Sequence, residues 1–329
     1  MISTSAAPAV AAIIAWGLIV LMLRKRDGMP LDRPNPRSLH AQPMPRSGGA
    51  AIMAGALAAF ALLAAPIAIV GPALLLACVS LADDWHGLPI PIRLVAHAAA
   101  AAAFVWLALG AIPWWLQLAA ALAVMWMTNL YNFMDGSDGL AGGMAALGFG
   151  FLGFAAYPAD DAIGLAAFCI AAAAFAFLAF NFHPARIFMG DVGSIPIGFM
   201  AAAFGLIGWQ RGLWPLWYPA AVFSPFIVDA SATLVKRIVC GERFWEPHRE
   251  HYYQRLVRLG WGHRKTALAE YALMLFCGIL SYWALGQPLY LQLIVILTLA
   301  TLFVCLAASI DVAWRRASGR APNSHHGTR

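Results

Sequence analysis

Charged residues are scarce in this chain of 329 residues, and its cysteines show no regular spacing. Charged residues make up 11% of the chain, against about 25% in a soluble protein, and hydrophobic residues make up 62%. The five cysteines include no CxxC pair, which excludes a disulfide framework. No basic residue precedes the first apolar run, residues 7–23, so we expect an uncleaved helix there and not a secretory signal peptide. The composition also excludes an ordinary soluble enzyme and a disordered chain.

Long apolar runs take the place of the missing charge. A helix of about 20 apolar residues crosses a bilayer. Eleven runs near this length are separated by Pro, Gly and charged residues, so the sequence predicts an all-α polytopic membrane protein with about 11 transmembrane helices. Pro219 and Pro225 lie inside the ninth run and predict a kinked or broken helix. The runs are 5–23, 48–65, 67–82, 92–110, 113–131, 139–157, 162–181, 193–208, 214–236, 266–285 and 289–312.

The basic residues are distributed unevenly between the two sides of these helices. If successive helices alternate in direction, 20 of the 21 lysines and arginines fall on one side, and only Arg211 falls on the other. Lysine and arginine concentrate in cytoplasmic loops. We therefore expect a protein of the bacterial inner membrane, with its N-terminus outside and its C-terminus in the cytoplasm. The net charge of +6 then reflects topology and attraction to anionic membrane lipids, and we expect no nucleic acid partner.

The same alternation gives a single integral-membrane domain, residues 1–315, followed by a basic cytoplasmic tail, residues 316–329. Of the 15 acidic residues, only Asp160 and Asp161 fall on the outer side. Carboxylates are therefore delivered to the cytoplasmic face, where we expect the active site. The predicted cytoplasmic loops are 24–47, 82–92, 131–139, 181–193 and 236–265.

Aspartates stand at several of the cytoplasmic helix ends. Asp83 and Asp84 end the third run, where adjacent carboxylates repel each other and are costly to desolvate, so binding of a cation or proton transfer is expected. The segment 129–140 holds two Asn, two Asp and two Gly between two helices. Its aspartates, Asp135 and Asp138, are three residues apart and are expected to converge on one point.

Two further segments suit phosphate and a flat base. Asp191 lies between glycines directly before a helix start, whose amide dipoles favour an anion. Phe188 nearby suits either ordinary packing or stacking on a base. In the first loop, Arg46 precedes a serine and the paired glycines 48–49, which suit phosphate oxygens through bidentate bonds and backbone donors.

The last inner loop is rich in hydrogen-bond donors. His248, Arg249 and His251 are expected to contact phosphate, and the two histidines would share one helix face if this segment were helical. A zinc site is an alternative, but no third thiol or imidazole lies at metal spacing.

Carboxylates, Arg and His donors and phosphate-suited glycines on one membrane face are what metal-assisted phosphoryl transfer on a membrane-bound partner requires. A lipid or sugar transporter is the competing hypothesis, since broken helices and membrane-level aspartates occur there too. Its coupling residues should lie near the bilayer midplane, where only Asp229 is expected. An inactive scaffold for glycan assembly is a third alternative.

The motifs resemble those of the polyprenyl-phosphate N-acetylhexosamine-1-phosphate transferases, glycosyltransferase family 4. The resemblance runs from about residue 30 to 265 and keeps the order of the motifs. The block 248–255 is similar to the branch that initiates O-antigen-type glycans. It lacks the consecutive histidines of the phospho-N-acetylmuramoyl-pentapeptide transferases, which remain an alternative. The motifs that carry the resemblance are 38–40, 45–49, 83–84, 132–140 and 188–194.

The resemblance implies transfer of an N-acetylhexosamine-1-phosphate from a UDP-N-acetylhexosamine to undecaprenyl phosphate, with release of UMP. Asp191, helped by Asp84, would hold Mg²⁺, with Mn²⁺ as an alternative. Asp83 would be the base that keeps the lipid phosphate deprotonated, and we expect direct attack rather than a phosphorylated aspartate. A homodimer is left open. The remaining implied contacts to nucleoside, phosphates or sugar are Asn132, Asp135, Asp138, Phe188, Arg46, His248, Arg249 and His251.

Overall fold

The fold is that of a computed structural model, which describes residues 4–25, 30–32, 39, 43–243 and 248–318. Almost all of this part of the chain is helical, with one pair of antiparallel two-residue strands, β1 (Leu31–Asp32) and β2 (Met44–Pro45). The α-helices are α1 (Ala7–Arg24), α2 (Gly48–Leu63), α3 (Ile67–His86), α4 (Ile90–Leu109), α5 (Trp114–Phe133), α6 (Leu140–Ala156), α7 (Asp161–Asn181), α8 (Asp191–Gln210), α9 (Trp217–Val222), α10 (Ser224–Val239), α11 (Tyr252–Leu256), α12 (Gly262–Leu285) and α13 (Leu289–Ser318).

Helices lie at all eleven predicted apolar runs, which confirms the all-α membrane architecture. The predicted number of spans is not confirmed. Within the described residues, seven helical segments are long and apolar enough to cross a bilayer. The apolar helices α2 and α6 are shorter, with 16 and 17 residues. The seven segments are Thr4–Arg24, Ile67–His86, Ile90–Leu109, Asp161–Asn181, Asp191–Gln210, Tyr252–Leu285 and Leu289–Ala317.

The ninth run forms two helices, as its prolines predict. α9 ends at Val222 and α10 begins at Ser224, with Phe223 between them at φ −93° and ψ 8°. Pro225 stands in the first turn of α10, where a proline's missing N–H costs nothing, and it cannot continue a preceding helix. α10 therefore starts afresh at Ser224, and Asp229 lies near its start.

α8 is the central helix of the bundle and positions the site. It packs against α2, α3 and α5, and most of its side chains are buried. Small residues allow these close approaches: a Cβ atom at Gly198 would lie 2.7 Å from the carbonyl oxygen of Met127 in α5. The first residue of this buried helix is Asp191, so the fold fixes that carboxylate in the middle of one end of the bundle.

Polar contacts between loops gather at this same end, which we call the polar end. It comprises the segments 43–49, 83–93, 132–139, 183–191 and 248–263, which are joined by the hydrogen bonds and ion pairs described below. At the opposite end of α7 and α8, Arg211 pairs with Asp160. The separation agrees with the predicted gathering of carboxylates on one face.

Candidate active site

Two carboxylates from different helices share one guanidinium group at the polar end. Asp83 stands in the last turn of α3, Asp191 begins α8, and Arg93 stands in the first turn of α4. Nη1 of Arg93 lies 3.2 Å from Oδ2 of Asp83 and 3.9 Å from Oδ2 of Asp191. The other oxygen of Asp83 accepts a 2.6 Å hydrogen bond from the backbone of Leu88. The structure therefore brings Asp83 and Asp191 to the same guanidinium nitrogen of Arg93.

Asp84 faces a second arginine. Nη2 of Arg46 lies 3.3 Å from Oδ1 of Asp84 and donates a 3.0 Å hydrogen bond to the backbone carbonyl of the same residue. The Asp84 side chain is only 3% exposed. Arg46, predicted to bind phosphate, is thus held at the cluster by Asp84.

Asp135 joins this cluster from the turn after α5. Burial and the negative charge of Asp191 raise the pKa of Asp135 well above its usual range, while a hydrogen bond from the backbone of Gly190 works in the opposite direction. Asp32, in β1, adds to the negative charge around it. Several carboxylates thus face few arginines, and the cluster attracts cations.

Asp138 points elsewhere, so the predicted convergence of Asp135 and Asp138 is wrong. Residues 134–139 form a turn rather than a helix, and the two carboxylates have different partners. Oδ2 of Asp138 lies 2.7 Å from Nδ1 of His183 and accepts a 3.2 Å hydrogen bond from the backbone of Ala185. Asp138 therefore ties the turn after α5 to the segment after α7.

His263 closes the same corner. Its Nδ1 lies 2.9 Å from the hydroxyl of Ser137 and 3.9 Å from Oδ1 of Asp138. Its ring stacks on that of His183, with the centroids 5.7 Å apart. This arrangement holds the 137–138 turn from two sides.

Gly48 and Gly49 do not offer their N–H groups to phosphate as predicted. The N–H of Gly48 donates to the carbonyl of Phe188 at 2.9 Å, and that of Gly49 donates to the carbonyl of Met189 at 2.8 Å. The reason for two glycines here is close packing, because a Cβ at Gly49 would lie 2.3 Å from the Cα of Gly193. The pairing fixes the segment that carries Arg46 against the segment that carries Asp191.

Asn132 and Phe188 border the cluster. Oδ1 of Asn132 accepts a 2.8 Å hydrogen bond from the hydroxyl of Ser194, in the first turn of α8. Phe188 is half-buried, and its backbone N–H donates to the carbonyl of Pro45 at 2.7 Å. Stacking of a base on the Phe188 ring stays a prediction.

His248 and His251 lie close together, although the predicted shared helix face is wrong. Residues 248–250 are not helical, because α11 begins at Tyr252. The two imidazole rings are nevertheless 4.9 Å apart. Burial, with the nearby His251 and Arg237, lowers the pKa of His248 to about 4. Arg249 is half-buried beside them, and its carbonyl accepts a 3.2 Å hydrogen bond from Arg258.

Asp229 holds this loop in place. Its two carboxylate oxygens accept hydrogen bonds from the backbone N–H groups of Tyr252 at 2.8 Å and Tyr253 at 2.9 Å. Its Oδ1 also lies 3.3 Å from Nδ1 of His251. Asp229 was the one carboxylate whose predicted position near the bilayer midplane favoured a transporter. In the structure its contacts instead hold the start of α11.

The site includes functional side chains that the motifs do not mark. In the sequence, Arg93 counts only as one of many basic residues, yet in the structure its side chain contacts both Asp83 and Asp191. A signal was present, because it is the only basic residue between α3 and α5. Asp229, His183 and His263 lie outside any recognisable spacing, although both histidines fall in predicted cytoplasmic loops. Of the motif at 38–40, Ser38 and His40 lie outside the described residues, as does the tail beyond Ser318.

The donor chemistry of the cluster suits a hard divalent cation. Among the described residues, no group of three or more His, Cys, Asp or Glu side chains forms a ready-made metal site. Asp83 and Asp191 do supply carboxylate oxygens within 4 Å of one arginine nitrogen. Mg²⁺ is usually bound by one or two carboxylates together with substrate phosphates. The residues therefore fit an ion held jointly by protein and substrate.

Comparisons with known proteins bear on the same region. Residues 66–208, which include Asp83, Asp135 and Asp191, match the model of glycosyl transferase family 4. The chain is 28% identical to a probable undecaprenyl-phosphate N-acetylglucosaminyl 1-phosphate transferase of Bacillus subtilis, over 86% of each chain. It is 29% identical to the decaprenyl-phosphate N-acetylglucosaminephosphotransferase of Mycobacterium leprae, over 84% of this chain and 81% of the relative.

A third relative is named for a different activity. The chain is 28% identical to a phospho-N-acetylmuramoyl-pentapeptide-transferase of a Picosynechococcus species, over 83% of each chain. All three similarities extend over most of the chain. The matched region and these relatives make the chain similar to glycosyl transferase family 4 and to polyprenyl-phosphate N-acetylglucosamine-phosphate transferases.

Proposed function

We propose that this transferase moves an N-acetylhexosamine-1-phosphate from a UDP-N-acetylhexosamine to undecaprenyl phosphate and releases UMP. The observation that carries the proposal is the convergence of Asp83 and Asp191 on one cation beside the Arg46–Asp84 pair. Such a cluster suits two phosphate-bearing substrates and the charge that develops between them. The names of the Bacillus and Mycobacterium relatives support the sugar phosphate and the polyprenyl acceptor.

In the proposed reaction, an oxygen of the acceptor phosphate attacks the β-phosphorus of the donor. The new bond forms between that oxygen and the β-phosphorus, and the bond to the α-phosphate oxygen breaks, so that UMP leaves with the bonding electrons. Asp83 keeps the acceptor phosphate deprotonated, and direct attack needs no phosphorylated aspartate. Arg93 and Arg46, at the rim of the carboxylates, offer charged hydrogen bonds to phosphate oxygens.

We propose Mg²⁺ as the cofactor, held by Asp191 with Asp84 and by the donor diphosphate, with Mn²⁺ as an alternative. When bound, the ion neutralises charge on the diphosphate. Asp84 becomes available as a ligand when Arg46 turns from its carboxylate to a phosphate oxygen. A single ion pair with a side chain that is 34% exposed is a modest obstacle to that exchange.

The donor is proposed to bind between the turn after α5 and the 248–251 loop. Asn132, Asp135 and Phe188 would contact the nucleoside. His248, Arg249 and His251 would contact the diphosphate or the sugar. His248 is suited to accept a hydrogen bond from a sugar hydroxyl, since its lowered pKa leaves it neutral near pH 7. In the structure Asp138 serves His183 and the backbone instead, which favours a supporting role over direct contact.

O-antigen-type glycan synthesis is proposed as the pathway, and peptidoglycan synthesis is the alternative. The loop reads His-Arg-Glu-His over 248–251, without adjacent histidines, which supports the former. The Picosynechococcus relative keeps the alternative open. Both donors carry an N-acetylhexosamine, so the aspartate cluster by itself does not discriminate between them.

The proposed location is the bacterial inner membrane, with the polar end and the C-terminus in the cytoplasm. The basic residues support this orientation. Exposed tryptophans mark two levels of the bundle, as expected for side chains at membrane interfaces. Trp85 and Trp261 are exposed at the polar end, and Trp106, Trp114 and Trp115 are exposed at the opposite end.

The proposal is tested by following both products. Purified protein is incubated with undecaprenyl phosphate, Mg²⁺ and one of several UDP-N-acetylhexosamines labelled in the sugar. The expected result is label in the lipid fraction with an equal amount of UMP. Release of UDP instead of UMP would show transfer of the sugar without its phosphate and would contradict the proposal. Arg211→Gln, at the opposite end of the bundle, is the matched control and should keep full activity, whereas Arg93→Gln should lose most of it.

A further inference from the structure

The last helix reaches the polar end and holds the 248–258 loop there. Asp311, near the end of α13, accepts charged hydrogen bonds from Lys236 of α10 and from Nη1 of Arg255, the latter at 2.8 Å. Lys236 also donates to the hydroxyl of Tyr252. Asp311 thus joins three elements that are far apart in the sequence: α10, α11 and α13.

Trp314, one turn further along α13, adds ring contacts. The guanidinium carbons of Arg255 and Arg258 lie 5.7 Å and 4.6 Å from its ring centroid. Arg255 also lies 5.6 Å from the ring of Tyr252. Cation–π contacts of this kind contribute about 0.5–1 kcal/mol each at exposed sites. The end of α13 therefore contacts the loop through two side chains one helical turn apart, Asp311 and Trp314.

These loop residues lead directly to the candidate active site. Tyr252 and Tyr253 are adjacent, and the backbone of each is bonded to Asp229, which also contacts His251. The hydroxyl of Tyr253 donates to the carbonyl of Phe133 at 3.1 Å. A Cβ at Gly136 would lie 2.2 Å from that same hydroxyl, so Tyr253 lies directly on the turn that carries Asp135.

We infer that Asp311 is a positioning residue for the donor substrate, acting through the 248–258 loop; this inference rests on the proposed function. Without its carboxylate, Lys236 and Arg255 face each other with no negative group between them. These two like charges then repel each other, and the loop loses the link between Arg255 and α13, although Asp229 still holds its start against α10. The side chains of His248, Arg249 and His251 are then expected to shift. The carboxylates of Asp83, Asp84 and Asp191 should keep their positions, because Asp311 does not connect these aspartates to the loop.

The test separates donor binding from the other steps. Asp311→Asn should raise KM for the UDP-sugar about tenfold, which corresponds to about 1.4 kcal/mol of binding. Both kcat and KM for undecaprenyl phosphate should stay within about twofold of wild type. Asp311→Glu, which keeps the charge, should restore most of the donor KM. Asp160→Asn is the matched control, because it removes an arginine-paired carboxylate at the opposite end of the bundle, and it should leave both KM values unchanged.

A second variant covers a failure to fold. Trp314→Leu removes both arginine–ring contacts without leaving a charge unpaired, and it should raise the donor KM in the same selective way, by about threefold. Equal donor KM values for wild type and the Asp311 and Trp314 variants would overturn the inference, as would a parallel rise in both substrates' KM values. If wild type itself transfers no sugar phosphate, the proposed function fails, and this outcome is distinct from a working enzyme that does not respond to these changes.

Discussion

Gly49→Ala is expected to separate the two segments that build the site. The added Cβ would lie 2.3 Å from the Cα of Gly193, 2.4 Å from the nitrogen of Gly193 and 2.8 Å from the carbonyl oxygen of Met189. Carbon atoms in contact prefer a separation of about 3.5–4.0 Å. The distance from the added Cβ to the Cα of Gly193 is more than 1 Å shorter than this. All three neighbours are backbone atoms, which no side-chain rotation can move. α2 and α8 must therefore part.

The size of the effect follows from this overlap. Overpacking a core by a methyl group usually costs about 1–3 kcal/mol, and a clash with backbone on three atoms should lie at or above the upper value. The shift also moves Arg46, three residues before Gly49, relative to Asp191. A displacement of about 1 Å in an active site can lower the rate by about 100-fold. Both stability and turnover are thus expected to fall.

The assay compares this variant with Gly150→Ala. Gly150 lies within α6, and a Cβ there would meet open space, so the same chemical change should cost nothing and can gain about 0.5–1 kcal/mol of helix propensity. The apparent melting midpoint in detergent and the rate of UMP release are measured for both. If Gly49→Ala has the same melting midpoint and the same rate of UMP release as wild type, the close contact between α2 and α8 is not as described, and the prediction is wrong.

Four further predictions concern the site and the topology. Asp191→Asn should lower UMP release more than tenfold, a loss above about 1.4 kcal/mol, and retention of a larger rate would move the metal to another aspartate. A reporter active only outside the inner membrane, fused after Arg316, should give no signal; a strong signal would mean that one span is miscounted. His251→Ala should lower kcat/KM unequally for two UDP-N-acetylhexosamines, and an equal fall would place this side chain on the shared diphosphate. Because the pKa of His248 is lowered from 6.5 to about 4, its protonation between these pH values opposes the folded loop. His248→Gln should therefore reduce the drop in melting midpoint as pH falls through this range. The melting midpoint should depend on pH near pH 7 in the same way for this variant and for wild type.

Much of the fold was predictable because a bilayer restricts the chain to a few solutions. Apolar runs of helical length have no alternative to helix in hydrocarbon, which explains why all eleven runs proved helical. The number of spans was less predictable. α2 and α6 are short, and the ninth run breaks between Val222 and Ser224, so neither length nor composition alone decides whether these segments cross.

The site was predictable where charged residues stand together at the end of a predicted helix. Asp83, Asp84 and Asp191 do meet at one end of the bundle, as their positions at helix ends indicated. Side-chain direction was not predictable. Asp135 and Asp138 look equivalent in the sequence, but the turn between α5 and α6 sends one toward Asp191 and the other toward His183.

The glycine pair shows a second limit. Paired glycines next to Arg46 are compatible with an anion-binding loop or with close packing, and nothing local distinguishes the two. The difference depends on Phe188 and Met189, whose carbonyls take the N–H groups. Arg93 and Asp229 illustrate the same point, because their roles arise from partners more than 20 residues distant or on other helices.

The position of the carboxylates along their helices sets the depth of the chemistry. Asp83 lies three residues before the end of α3 at His86, and Arg93 lies three residues after the start of α4 at Ile90. At 1.5 Å per residue, the ion pair is recessed by about 4.5 Å below the tips of this helical hairpin. The exposed indole of Trp85 stands two residues closer to the tip, about 3 Å above Asp83 on the same scale, and such side chains commonly lie among lipid headgroups. A phosphate attached to a lipid can therefore meet these carboxylates while its hydrocarbon chain stays in the bilayer, and only the water-soluble donor has to descend.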